Sequence, residues 1–253
     1  AVDSDSDGVR NLHDVDSDND GLFDGTEMGK DCADAATDPK RACRADADSS
    51  TTTSPVKADS DGGGVTDGSE DPNLDGKIDM DELDPNSAAD DTNVVDGDGD
   101  GLSDALETQL ATDPKDQDSD DDGALDGSEA NPRADGDGDG LINVLDVDSD
   151  NDAIYDGTEM GVSCDHADTS MSAPVHCIAD GDAGATTTSA ILADTDGGGA
   201  SDGSEDPNRN GVVDMDETDP GTGKEGDDAS VVDTDADGLG DALETAIGTD
   251  TMD

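Results

Sequence analysis

The chain has 253 residues, with 71 Asp or Glu against 11 Lys or Arg, a formal net charge of −60, one Phe, one Tyr and no Trp. Such a composition excludes nucleic-acid backbones and anionic membrane surfaces as partners, since both need clustered Lys and Arg. It is the composition of a disordered chain unless something cationic folds it. No apolar run approaches the length of a membrane span. The chain opens at Ala1 without a signal peptide, as expected of a processed product or a piece of a longer protein.

The spacing of the acids names the cation. Eleven stretches carry oxygen-bearing side chains at loop positions 1, 3, 5, 9 and 12, usually with Gly at 6, and offer the carbonyl of position 7. That is the oxygen spacing of a calcium loop, and it suits a hard cation taking six to eight oxygens. In chain order the first loop offers Asp3, Asp5, Asp7, Val9, Asn11 and Asp14, and the second Asp16, Asp18, Asp20, Leu22, Asp24 and Glu27. The third offers Asp59, Asp61, Val65, Asp67 and Glu70, with Gly63 at position 5, so a neighbouring oxygen or water must fill that place. The fourth offers Asp71, Asn73, Asp75, Lys77, Asp79 and Glu82, and the fifth Asp96, Asp98, Asp100, Leu102, Asp104 and Glu107. Asp118, Asp120, Asp122, Ala124, Asp126 and Glu129 make the sixth, and Asp135, Asp137, Asp139, Leu141, Asn143 and Asp146 the seventh.

The eighth loop is Asp148, Asp150, Asp152, Ile154, Asp156 and Glu159, with Ala153 at position 6, where a Gly-like backbone angle costs about 1 kcal/mol or more. The ninth is Asp194, Asp196, Ala200, Asp202 and Glu205, with Gly198 at position 5. The tenth is Asp206, Asn208, Asn210, Val212, Asp214 and Glu217, a weaker set because two acids are replaced by amides. The eleventh is Asp233, Asp235, Asp237, Leu239, Asp241 and Glu244. About eleven Ca2+ ions are therefore expected. Filling every loop would leave a formal charge of −38, so the surface stays acidic.

A longer repeat lies over the loops. Residues 15–29, 58–73 and 94–108 recur as 147–161, 193–208 and 231–245, which divides the chain into copies at 1–132 and 133–253. Helical turns are expected at 103–111 and 240–247, and very short strands or bridges at Val94-Val95, Leu141-Ile142, Val212-Val213 and Val231-Val232. Joining Asp253 to Ala1 would form a loop junction like that before Asp118, which suggests end-to-end self-association into a filament.

Cys32 with Cys43, and Cys164 with Cys177, fall in matching inserts, and local pairing gives two small disulfide loops. His166 and His176 near the second pair keep a thiolate metal site as the alternative. Thr51 to Thr53 and Thr186 to Thr188 read either as sites of O-linked glycans or as polar loops. No nucleophile–base arrangement or phosphate loop stands out, so an enzyme is not expected.

The D-x-D-x-D-G-x-x-[DN]-x-x-[DE] loops at 3–14, 16–27, 96–107 and 135–146, and the Glu107 to Pro114 spacer, resemble the calcium-binding type 3 repeats of thrombospondin as found in bacterial surface proteins. The resemblance implies a mostly irregular, calcium-organised repeat array with short helices, very short strands and a small hydrophobic core. It also implies disulfides and an extracellular or cell-surface location. The function expected from it is a calcium-stiffened structural protein, namely a spacer, stalk or fibre subunit. An adhesive or ligand-binding module and a calcium-buffering or mineral-associated acidic protein are the alternatives.

Overall fold

The acidic loops share one closing bond. In eight of them the N–H of position 9 donates to the carbonyl of the residue just before position 1, as from Asp24 to Val15 at 3.0 Å, Asp67 to Ala58 at 2.8 Å and Asp104 to Val95 at 2.9 Å. The Asp126–Gln117, Asn143–Ala134, Asp156–Val147, Asp202–Ala193 and Asp241–Val232 pairs repeat it. The position 1 carboxylate braces the turn inside, accepting the position 6 N–H at 3.0 Å between Gly21 and Asp16 and at 2.9 Å between Gly64 and Asp59. That turn needs a left-handed backbone, φ +92° at Gly21, and Ala153 is held at φ +84° in the same place.

The fold is a computed structural model, which describes residues 2–33, 43–80, 82–172, 174–215, 217–221, 230–235 and 238–252. Asp237, and the Ala1 and Asp253 of the stacking expectation, lie outside the described residues.

In these eight loops the chain becomes helical at position 9. The helices are α1 (Asp24–Glu27), α2 (Asp67–Glu70), α3 (Asp104–Leu110), α4 (Asp156–Glu159), α5 (Asp202–Glu205) and α6 (Asp241–Ile247). Asp126–Ser128 and Asn143–Leu145 form 3-10 turns at the same position, and Asp91–Asn93 forms another between loops. Position 8 is extended and acts as N-cap; the Thr66, Ser103 and Ser201 hydroxyls accept from Ser69, Leu106 and Ser204. Acids at positions 9 and 12 sit in the first helical turn, where exposed backbone N–H groups favour negative charge.

The chain forms two compact units, residues 1–119 with 125–145, and residues 120–124 with 146–253. In the first, Leu22, Leu74, Leu102, Leu106, Leu110 and Val144 form a buried apolar core with Ile142 and Leu145 against it. Leu22 and Leu102 are position 7 residues, so the residue whose carbonyl faces the loop also anchors the core. Helices α2 and α3 touch through Ser103, whose N–H donates to the Ser69 hydroxyl at 3.1 Å and whose hydroxyl donates to the Ser69 carbonyl at 3.2 Å. In the second unit α5 and α6 meet through the Gly240 N–H and the Ser204 hydroxyl at 2.8 Å, with Ile154 and Leu243 buried. Each unit also carries one disulfide, Cys32–Cys43 and Cys164–Cys177. Each is worth about 2–4 kcal/mol. The bonded sulfurs remove the thiolate-metal alternative.

These features correct the expectation of a thrombospondin type 3-like irregular array. No β-strand occurs among the described residues, while helices with packed partners do. In place of a ladder, Val95 and Val232 each give their carbonyl to loop closure, and Val212 donates its N–H to Asn210 Oδ1 at 2.8 Å inside the tenth loop. The same finding corrects the family resemblance and the descriptions that rest on it, the tandem array and the fibril. The spacer, stalk or fibre function presumed a chain without a real core. Two compact units with buried leucines and helix–helix contacts overturn it.

Ala153 supplies a direct test of the turn. Ala153→Gly is expected to raise unfolding stability by about 1 kcal/mol in urea denaturation, because glycine adopts the left-handed angle without the steric penalty.

Candidate metal centres

Within each loop the carboxylates divide their two oxygens. One braces the backbone. The position 5 Asp accepts the position 7 N–H, at 2.8 Å from Leu22 to Asp20, 2.7 Å from Leu102 to Asp100 and 2.8 Å from Ile154 to Asp152. The other oxygen turns inward. Asp5 Oδ2, Asp16 Oδ1, Asp18 Oδ1, Asp98 Oδ2 and Asp100 Oδ2 are buried with no hydrogen-bond partner, as are both oxygens of Glu70, Glu107 and Asp150. A buried anion without a donor is costly. Convergent orphan oxygens on a rigid loop suit a divalent cation, so the residues present fit one.

Several such groups bring their ligand atoms within 4.8 Å of one another: Asp3, Asp5 and Asp7; Asp16, Asp18 and Asp20; and Asp96, Asp98 and Asp100. A further group joins two loops, because Asp67 lies with Asp20 and Glu27. Asp67 is position 9 of the third loop, where its Oδ1 accepts the Ser60 N–H at 2.8 Å, and its carboxylate also reaches the second. The link is reinforced by the Gly68 N–H, which donates to Asp20 Oδ2 at 3.3 Å. In the second unit the Gly203 N–H donates to Asp152 Oδ2 at 2.6 Å, and Asp202 adds to the negative charge around Asp150 and Glu159.

The structure places the remaining sequence-expected ligands as follows. The Lys77 ammonium pairs with Asp79, and the Asn73 amide donates to Glu82, so the fourth loop partly neutralises its own acids. The Asn208 amide does the same for the tenth, donating to Glu217 at 2.6 Å. Asp135, Asp137 and Asp139 stand at the surface of the first unit, their loop braced by the Leu141 N–H to Asp139 at 2.8 Å. The sixth loop is divided: Asp118, Asp126 and Glu129 belong to the first unit, Asp120, Asp122 and Ala124 to the second. Asp148 and Asp194 brace Ala153 and Gly199, and Asp206 and Asp233 brace Gly211 and Gly238.

Two kinds of positioning residue were missed. The first is position 2, where a hydroxyl holds the position 9 Asp. Ser17, Ser119, Ser149, Thr195 and Thr234 each donate from backbone and side chain to Asp24, Asp126, Asp156, Asp202 and Asp241, the hydroxyl bonds spanning 2.5–2.8 Å. The recurring Asp-Ser/Thr-Asp triplet is a readable signal of it. The second is the threonine insert. Thr53 donates to Glu27 Oε1 at 2.9 Å, and Thr188 to Glu159 Oε1 at 2.8 Å, which fixes the closing glutamates.

Burial, and then the neighbouring acids, lifts these carboxyls far above their ordinary range. Glu70 is pushed up to about 8 by burial and then by Asp91 and Asp61. Glu107 also reaches about 8, by burial and then Asp98 and Asp100. Asp16, Asp20 and Glu159 are held well above the usual carboxylate pKa, by burial first and crowded acids second. Without a cation these sites therefore favour protons. A divalent cation, by delivering two charges to the same oxygens, would replace them.

The sign of the pH response follows. Groups raised on folding stabilise the protonated fold below the ordinary carboxyl pKa of about 4, and that contribution disappears as pH rises through their folded values. In EDTA the thermal midpoint is expected to fall from about pH 4, most steeply up to pH 6, where folded Asp67, at about 6, and Glu70 and Glu107, at about 8, keep protons that the unfolded chain has lost, and to level off above pH 8. In millimolar calcium the fall should vanish. Thr188→Val should weaken the cation site of Glu159 by about tenfold in calcium titrations, since removing a group that orients a ligand carries a penalty of that order. Neither a protein-family model nor a curated protein matches this chain.

Proposed function

We propose that the protein is an acidic calcium-binding protein that buffers or stores the ion in an oxidising, extracellular compartment. The carrying observation is the recurrence of buried carboxylate groups with inward oxygens that lack donors. Aspartate, glutamate and backbone oxygens with no nitrogen or sulfur ligand suit calcium, which accepts six to eight oxygens, better than zinc or copper. Two disulfides fit a compartment outside the reducing cytosol. No helix among the described residues is long and apolar enough to cross a membrane.

The mechanism is charge substitution coupled to order. Acids at positions 1, 3, 5 and 12 would hold the ion in the loops that carry all four, and in the second loop Asp67 of the next loop would join Asp20 and Glu27. Binding free energy is then partly folding free energy. Rigid loop backbones favour binding, while accumulated negative charge draws the ion in. Loops of extracellular modules hold calcium with dissociation constants of about 10⁻⁴–10⁻³ M. Capacity approaches one ion per loop, up to the eleven loops of the sequence. Many sites of moderate affinity release and take up ions around their own dissociation constant, which is the property a buffer requires.

Equilibrium dialysis against calcium at physiological ionic strength tests this reading. Binding of many ions per chain, with magnesium a poor competitor, is the expected result. Saturation at one or two ions, or none, would contradict it.

A further inference from the structure

The third loop has a gap. It lacks a carboxylate at position 5, where Gly63 stands, and its position 9 Asp67 also reaches Asp20 and Glu27 of the second loop. Asp59 spends both oxygens on its own turn, accepting from Gly62 at 2.6 Å and Gly64 at 2.9 Å. By itself the loop directs only Asp61 and Glu70 at an ion.

We propose that Asp91, from outside every acidic loop, is the missing carboxylate ligand of the third loop's cation site. Asp91, Asp61 and Glu70 bring one oxygen each within 4.8 Å of one another. Asp91 is 6% exposed and Glu70 1%, and all four of their carboxylate oxygens, with Asp61 Oδ2, are buried without a hydrogen-bond partner. Two nine-tenths-buried anions aimed at a third need a cation between them.

The glycine explains the arrangement. A Cβ at Gly63 would fall on the Asp91 carboxylate, so the Asp91 side chain occupies the space that a position 5 side chain would take. Gly63 has no left-handed angle that would itself demand glycine; what excludes a Cβ there is the Asp91 carboxylate first and the Ala88 Cα, at 2.9 Å, second, both from the segment that carries Asp91. Asp91 is delivered by the 3-10 turn Asp91–Asn93. The segment before it is tied to the loop by the Leu83 N–H, which donates to the Glu70 carbonyl at 3.1 Å, and is internally braced by the Asp84 N–H to Asp90 Oδ2 at 3.1 Å. The sequence couples the two features in the second copy as well, with Gly198 in the ninth loop and Asp227-Asp228 downstream; that acidic pair lies outside the described residues.

The inference rests on the calcium-binding reading and adds a ligand from a segment that the loop pattern does not reach. Binding at the third loop therefore also fixes residues 83–91.

The test counts ions by native mass spectrometry and follows affinities by calcium titration of the full chain. Asp91→Asn keeps the side-chain shape and removes the charge; Gly63→Ala leaves Asp91 in the sequence but sets a methyl group against its carboxylate and the Ala88 Cα, which displaces the segment carrying Asp91. Each is expected to bind one ion fewer than wild type, or to weaken one site by at least about tenfold. The exposed Asp113→Asn control should keep the full count. Helical circular dichroism of Asp91→Asn in calcium should match wild type. Full wild-type binding together with an unchanged count and affinities in Asp91→Asn overturns this inference alone. A wild-type chain that binds no calcium overturns the function reading and this one together.

Discussion

Repulsion among buried carboxylates is the constraint on which the rest of the molecule depends. Glu27, Glu70, Glu107 and Glu159 are as deeply buried as the core leucines, and each faces other acids rather than a lysine or arginine. With 11 basic residues against 71 acidic ones, the chain cannot compensate them internally. The backbone does part of the work, because turn N–H groups donate to one oxygen of many loop aspartates. The oxygens left over point at one another. The order of the fold is therefore linked to whatever positive charge reaches them.

That linkage shapes the architecture. A loop that ends in a helical turn places the closing glutamate on the same side as positions 1, 3 and 5. It also sends the position 7 side chain into the apolar core. Leu22 and Leu102 thus join the electrostatic and hydrophobic halves of the first unit: their backbones stand at the loop and their side chains pack with Leu74, Leu106 and Leu110. Loops are further coupled through shared acids, as Asp67 is with Asp20 and Glu27. Order at one centre is felt at the next through a side chain rather than through the chain path alone.

Much of the candidate site was legible in the sequence because a ligand pattern is local. Twelve-residue spacing, the glycine at position 6 and the strained Ala153 follow from residue order. The helical turns at 103–111 and 240–247, and the two cysteine pairs, are also near-neighbour features. What was not legible depends on tertiary placement. Nothing in the order of residues says that the Asp67 carboxylate, held in its own loop by the Ser60 N–H, also reaches Asp20 and Glu27 of the second, or that Asp91 fills the space above Gly63. The fold class was misread for a related reason. A low aromatic count suggested only a small core, and six aliphatic residues spaced at loop and helix positions pack the one found in the first unit. The valine pairs were read by β-propensity, while Val95 and Val232 each give their carbonyl to loop closure.

The most direct measurement is the thermal midpoint at pH 7 across a series of free calcium concentrations, from EDTA to several millimolar, read by circular dichroism. If cations satisfy the buried carboxylates, the midpoint climbs with the logarithm of free calcium and the unfolding transition is lost or strongly lowered in EDTA. Superimposable melting curves in EDTA and in millimolar calcium would contradict the account.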